Sequence, residues 1–105
     1  MEIVYGRENA DMIRERHLVL DLETVDVNGT PIDLYCVIPT DKLNFKEIQD
    51  LPMWTKLHQD FIQGYIEKQY PYCLQCIEHL MGKFGGEVDS FYEIIKDRIE
   101  NENKI

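Results

Sequence analysis

The chain has 105 residues, a length that fits one domain and lets roughly two thirds of the unfolded chain's surface be buried. Hydrophobic residues make up 44%, with four Phe, six Tyr and one Trp, which favours a folded globule over a disordered chain. The net charge is −9, and such a surface repels phosphate backbones, so we expect no direct binding to nucleic acid.

The same composition bears on the cellular compartment. No apolar segment approaches the roughly 18 residues that a membrane-spanning helix needs, so we expect no membrane association. The three cysteines form an odd set without a recognisable secretion signal, which favours reduced thiols over a disulfide framework. The sequence therefore predicts a cytoplasmic protein.

Two short elements are predicted at the start of the chain. Glu2 to Tyr5 is rich in β-branched and aromatic residues, which predicts a strand that ends at Gly6. Asn9 to Arg16 then predicts a short helix capped by Asn9, because Met12 and Ile13 fall at helical spacing with Arg16.

The segment from His17 to Asp41 is the most informative part of the sequence. Two stretches of alternating apolar residues flank Val27, Asn28 and Gly29, a pattern typical of a β-hairpin. The segment contains five acidic residues and no Lys or Arg, so it carries five of the nine excess negative charges. We predict an acidic hairpin, to which Glu2 to Tyr5 could add a third strand.

The loop of the hairpin determines which residues pair across it. A two-residue loop at Asn28 and Gly29 would mix acids with apolar groups, setting Asp21 against Cys36. A three-residue loop of Val27, Asn28 and Gly29, with a bulge at the glycine, separates the faces and is the favoured alternative. It pairs Glu23 with Asp33 on one face. The other face becomes apolar, with Leu18, Leu20, Leu22 and Thr24 opposite Ile38, Cys36, Leu34 and Ile32.

Helices are predicted after Pro39, which ends the second strand. Asn44 and Glu47 resemble a capping box for a short helix through Asp50, with Phe45 and Ile48 on its buried side. Leu51 and Pro52 predict a break, because proline lacks an amide hydrogen but suits the start of a new helix. That second helix extends to about Gln69 with an apolar stripe of Trp54, Leu57, Phe61, Ile62, Tyr65 and Ile66.

Two further helices complete the prediction. Pro71 separates a third helix, which runs from about Tyr72 to Gly85 and Gly86. Its inner face holds Cys73, Cys76, Ile77, Leu80 and Phe84. Ser90 and Glu93 form a second capping box, which starts the last helix. The buried stripe of that helix consists of Phe91, Ile94, Ile95 and Ile99. Residues 101–105 are expected to fray. We predict a single α+β domain over residues 1–105, with the antiparallel hairpin packed against three to four C-terminal helices.

Three potential zinc ligands, Cys73, Cys76 and His79, follow one another at three-residue steps on one side of a helix. A structural zinc site needs four ligands, and only Cys36, His17 or His58 could complete it. Both cysteines of the pair also lie on the apolar stripe. Core packing is therefore the favoured interpretation, a small zinc-stabilised interaction module is an alternative, and no cofactor is expected.

Asp21 and Glu23 are two residues apart on a predicted strand, which puts both carboxylates on one face. The run from Leu18 to Thr24 resembles the first motif of the DEDD family of 3′ to 5′ exonucleases. There the acidic pair binds two divalent metal ions, so the resemblance implies a metal-dependent nuclease that uses Asp21 and Glu23. This is a further alternative, because the family needs two more acids and no matching motif surrounds Asp60, Asp89 or Asp97.

The mixed face of the hairpin is the third candidate site, and no catalytic residue is assigned. Acids surround apolar side chains there, as in many protein-binding surfaces, and the predicted partner-binding residues are Asp21, Glu23, Asp33, Tyr35, Val19 and Val37. Two alternatives stay open. The apolar members could be covered by the N-terminal strand or a helix, and the acidity could serve solubility alone.

These features favour a small, non-enzymatic regulatory or adaptor protein whose acidic face binds a basic protein surface. One form is inhibition of a nucleic-acid enzyme, since an acidic fold can occupy a positive channel as a nucleic-acid mimic. In composition the chain resembles the small acidic accessory proteins of bacteriophages. An edge strand could also pair with a second copy to give a homo-oligomer.

Overall fold

A computed structural model describes residues 1–102, which form a three-stranded antiparallel sheet and four α-helices. Two single-turn 3-10 helices, Thr40–Lys42 and Phe84–Gly86, lie between the helices and strands. The predicted α+β class is confirmed, as is the third strand. In chain order the elements are β1 (Glu2–Tyr5), α1 (Arg7–Arg14), β2 (Leu18–Val27), β3 (Thr30–Ile38), α2 (Phe45–Ile66), α3 (Tyr70–Leu80) and α4 (Asp89–Glu102).

The sheet separates two apolar clusters, because successive strand residues point to opposite faces. The strand order β1-β3-β2 puts β3 in the centre. On one face α1 covers a small cluster of Ala10, Val19, Tyr35 and Val37. On the other face α2, α3 and α4 build the main core on Leu20, Leu22, Cys36 and Ile38, with Trp54, Phe61, Ile77, Leu80, Phe84, Phe91, Tyr92, Ile95 and Ile99 among its helical members.

The hairpin combines the two registers that the sequence allowed. At its base Leu18 pairs with Ile38 and Asp21 with Tyr35, which is the favoured register. At its tip Val27 pairs with Thr30, so the loop has two residues, and the three-residue loop is wrong. Its φ angles are 53° at Asn28 and 86° at Gly29, as in the type I′ turn that suits a twisted hairpin.

A register shift between Asp21 and Thr24 reconciles the two halves. Leu22 and Glu23 together oppose Leu34, so the extra residue forms a β-bulge in the middle of β2. The predicted pairing of Glu23 with Asp33 is therefore wrong. Thr24 stands opposite Asp33 instead, and its hydroxyl donates a 2.6 Å hydrogen bond to the carboxylate.

Helix α1 begins two residues earlier than predicted, and Asn9 is not its cap. Gly6 precedes the helix with φ 87°, a conformation that glycine adopts readily, and so turns the chain directly from β1 into α1. The Gly6 amide donates to the Asp33 carbonyl at 2.9 Å. Asn9 lies inside the helix, where its side chain donates to the Tyr5 carbonyl at 2.9 Å.

Helix α2 is continuous through Pro52, although the sequence predicted two helices. The capping box of Asn44 and Glu47 is confirmed, with the Glu47 amide donating to Asn44 at 2.8 Å. The buried side predicted for the first turns is wrong, since Phe45 is 75% and Ile48 44% exposed. Phe45 and Ile48 lie on the opposite side of the helix from Trp54 and Phe61, whereas Leu51 packs against the main core.

The C-terminal helices follow the predicted stripes with shifted ends. Pro71 lies in the first turn of α3, where a missing amide hydrogen costs nothing, and Phe84 is buried in the following 3-10 turn. In α4, Ser90 lies inside the helix and Ile94 is exposed. Of the predicted frayed end, residues 101 and 102 are helical, and residues 103–105 lie outside the described part of the chain. No helix within residues 1–102 is both long and apolar enough to cross a membrane.

Candidate functional site

A pocket of about 520 Å³ lies where the bulge of β2 meets α2 and α4. It contains four of the six residues predicted to bind a partner, namely Asp21, Glu23, Asp33 and Tyr35. The rest of its wall comes from the two strands and two of the helices: Leu22, Thr24, Leu34, Ile62, Tyr65, Ile66 and Arg98. We take this cleft, which we call the bulge pocket, as the candidate functional site.

The bulge turns Glu23 toward the helical layer. Leu22 enters the main core, and the next side chain, Glu23, reaches α4 instead of the opposite face of the sheet. There Nη1 of Arg98 donates to both carboxylate oxygens of Glu23, at 2.9 and 3.2 Å. The pocket therefore has an ion pair on its wall that links the hairpin to the last helix.

Glu23 is the least exposed carboxylate of the pocket. Its side chain is 19% exposed, against 59% for Asp21, so its charge depends on Arg98 for compensation. The pKa of Arg98 is raised, first by a hydrogen bond with the Tyr65 hydroxyl and then by Glu23, against the lowering effect of its own burial. Arg98 thus stays positively charged at any working pH.

Asp21 also lines the pocket, but its carboxylate is bound by α1, the helix on the other side of the sheet. Nη2 of Arg14 in α1 donates to the Asp21 carboxylate at 2.8 Å, and the same guanidinium lies 5.4 Å from the centre of the Tyr35 ring. Asp21 and Glu23 are consequently bound by arginines from opposite layers. The shared strand face expected for joint metal binding is lost at the bulge, and residues 1–102 contain no group of three or more His, Cys, Asp or Glu side chains placed to hold a metal ion.

The apolar half of the predicted binding face is not accessible. Val19, Tyr35 and Val37 are buried beneath α1, so the expectation that they line an open surface is wrong. The alternative of a covering helix is confirmed. The exposed acids of the two hairpin strands are Asp21, Asp26 and Asp33.

His58, which the sequence suggested only as a possible fourth zinc ligand, is the buried polar residue beneath the bulge. It is fully buried, with Nε2 2.6 Å from the Asp21 carbonyl and Nδ1 2.8 Å from the Tyr92 hydroxyl. A carbonyl only accepts, so Nε2 carries the proton and the Tyr92 hydroxyl donates to Nδ1. Burial lowers the pKa of His58. Its position between Trp54 and Phe61 on the apolar stripe is the feature of the sequence that indicates its burial.

The zinc candidates do not converge. Cys73 and Cys76 are buried in the main core, whereas His79 is exposed. Burial raises the pKa of Cys73 to about 11 and also raises that of Cys76, so both thiols are protonated near neutral pH. Cys36 lies in the same core but His17 is exposed, and His58 already binds Asp21 and Tyr92.

Comparison with known proteins gives no relative: no family model, no curated protein and no solved structure matches this chain. The fold and the pocket therefore define its class by themselves. That class is an α+β protein with an acidic hairpin and a pocket at the hairpin's bulge.

Proposed function

We propose that this chain is a small, non-enzymatic regulatory or adaptor protein whose acidic hairpin binds a basic surface of another protein. The observation that carries the proposal is the bulge pocket, in which Asp21, Glu23 and Asp33 share one cleft of about 520 Å³ with the apolar side chains of α2. Protein-binding sites commonly combine an apolar interior with charges that orient the partner.

The distribution of charge supports a basic partner. Asp26 and Asp33 are exposed near the tip of a hairpin that has no Lys or Arg, in a protein of net charge −9. Such a field attracts a cationic surface and accelerates the encounter, an effect that added salt screens. A phosphate backbone would be repelled, so the partner is a protein.

Inhibition of a nucleic-acid enzyme is one form of this function. Such enzymes expose basic channels, and a compact acidic hairpin can occupy a channel as a nucleic-acid mimic. The likeness in composition to small acidic accessory proteins of bacteriophages and the three reduced, buried cysteines fit a cytoplasmic regulator of this kind.

The test is affinity capture of binding proteins from the native host, followed by mass spectrometry, with a variant that reverses two exposed hairpin charges. In D26K/D33K we expect the captured basic protein to be lost while the melting temperature stays within a few degrees, because both side chains are exposed and the hydrogen bond lost between Thr24 and Asp33 is also exposed. Capture that persists unchanged would contradict the proposal.

A matched control is E78K/E100K, which changes the net charge by the same amount at exposed positions of α3 and α4. This variant should retain the captured protein, since the hairpin is intact. If both variants lost the captured protein to the same extent, binding would depend only on the overall negative charge. That result would also contradict a binding site on the hairpin.

A further inference from the structure

Glu23 differs from the other hairpin acids because its charge is largely removed from water inside a pocket. Its side chain is 19% exposed, and it shares the pocket wall with Leu34, Ile62 and Tyr65. A carboxylate in such a place is stable only beside a cation. The pocket therefore has a built-in preference for a positively charged group at this point.

Arg98 does not occupy all the hydrogen-bond acceptor sites of the Glu23 carboxylate. Arg98 contacts both oxygens of Glu23 with a single nitrogen, whereas a guanidinium fork makes two parallel hydrogen bonds when it binds a carboxylate in bidentate fashion. The Arg98 side chain is also 48% exposed and can move aside into water. The remaining acceptor sites of Glu23 can therefore bind a second guanidinium, either beside Arg98 or in its place.

The other walls suit the stem of an arginine side chain. Ile62, Tyr65 and Ile66 line the same pocket, and Ile66 is 68% exposed, so apolar surface is available beside the carboxylate. Arginine buries its methylene stem along apolar surface, and its planar head stacks on aromatic rings. A volume of about 520 Å³ accommodates such a side chain together with part of its peptide.

We infer that the bulge pocket receives an arginine side chain of the basic partner, with Glu23 as its anchor and Arg98 as the internal cation that it displaces. The inference rests on the proposed function, since it names the group that the acidic hairpin recognises. It also explains why an acidic binding site would contain an arginine: Arg98 compensates Glu23 until the partner arrives.

The test uses the full-length protein, labelled with ¹⁵N and titrated with N-acetyl-arginine amide while amide shifts are followed by NMR. We expect saturable shifts at the residues lining the pocket, and clearly weaker shifts with N-acetyl-lysine amide, because a lysine cannot form the fork. Equal binding of the two amides, or shifts scattered over the whole surface, would overturn the inference.

Substitutions at Glu23 and Arg98 test the two roles separately, Glu23 as the anchor and Arg98 as the displaced cation. E23Q should abolish binding of the arginine probe, whereas R98Q should strengthen it about fivefold, the factor expected when a competing ion pair of about 1 kcal/mol is removed. R98K keeps a competing cation near Glu23 and should therefore strengthen binding of the arginine probe by less than R98Q. Binding that is unaffected by E23Q, or weakened by both Arg98 substitutions, would contradict the displacement.

The outcomes are distinct from those of the proposed function. If D26K/D33K loses the captured protein but E23Q leaves the arginine probe bound as before, the hairpin binds a basic protein without an arginine in this pocket. If the arginine probe depends on Glu23 while capture does not depend on Asp26 and Asp33, the pocket is a cation site and the hairpin tip is not the docking surface.

Discussion

His58 is a neutral imidazole held between the Asp21 carbonyl and the Tyr92 hydroxyl, at the point where the bulge begins. Both of its nitrogens are satisfied, one as donor and one as acceptor, so a second proton would disturb the hydrogen bond from Tyr92. Because burial lowers the pKa of His58 in the folded protein, the unfolded chain binds a proton more readily. The stability of the protein is therefore linked to pH through this residue.

The lowered pKa of His58 predicts how the free energy of unfolding depends on pH. Above about pH 6.5, the pKa of an unfolded histidine, the contribution is fully present, and it is lost as the pH falls toward the lower folded value. We expect the free energy of unfolding to fall in this window by up to about 1.4 kcal/mol per pH unit. Urea unfolding of the wild type and of H58Q at several pH values should show that H58Q lacks this contribution.

The matched control for H58Q is H79Q, because His79 is exposed on α3. H79Q should keep the pH dependence of the wild type and unfold at nearly the same urea concentration. H58Q should also lose about 1–3 kcal/mol at neutral pH, since it disturbs two buried hydrogen bonds. An H58Q variant with the same pH slope as the wild type would show that other groups cause the dependence.

The β-bulge is the element that sequence reasoning could only half predict. Strand alternation determined the apolar face at the base of the hairpin, and the Asn28 and Gly29 pair determined a tight loop, but the two signals required different registers. The bulge reconciles the two registers, and Glu23 in the bulge binds Arg98, which lies 75 residues later in the chain. A contact of that range leaves no local pattern, so the pocket itself could not be predicted.

Helix α2 shows the same limit in another form. Its first turns carry Phe45 and Ile48 toward solvent, and the residues after Pro52 turn Trp54 and Phe61 toward the core. From the sequence alone, Leu51 and Pro52 predict two helices, because proline lacks an amide hydrogen and suits the start of a new helix. The burial of the later turns against the sheet keeps the helix continuous, which is a tertiary effect.

A substitution at Pro52 tests this account of α2. Proline inside a helix removes a hydrogen bond and costs about 3 kcal/mol, while it restricts the unfolded chain by up to about 1 kcal/mol. Because Pro52 is exposed, P52A should stabilise the protein by about 1–2 kcal/mol in urea unfolding. M53A, at the next exposed position, should change stability by less than about 0.5 kcal/mol. A destabilised P52A would mean that the helix needs the proline's geometry.

At the scale of the whole molecule, charge acts in opposite directions on folding and on binding. The net charge of −9 makes the folded chain repel itself, because folding brings like charges together, and salt screens this repulsion. The same salt screens the attraction between the acidic hairpin and a basic partner. The ion pair of Arg14 with Asp21 is largely exposed and contributes little to the balance.

This opposition gives the last prediction. Raising NaCl from about 0.01 M to 0.1 M shortens the screening length from about 30 Å to about 10 Å. The melting temperature should then rise, while retention of the captured basic protein should fall. E78K/E100K, which lowers the net charge from −9 to −5, should show a smaller salt-dependent rise in melting temperature but the same loss of the partner. If salt instead strengthened capture, the contact would be mainly apolar, and the exposed side chains at the start of α2, Phe45 and Ile48, would be the surface to change next.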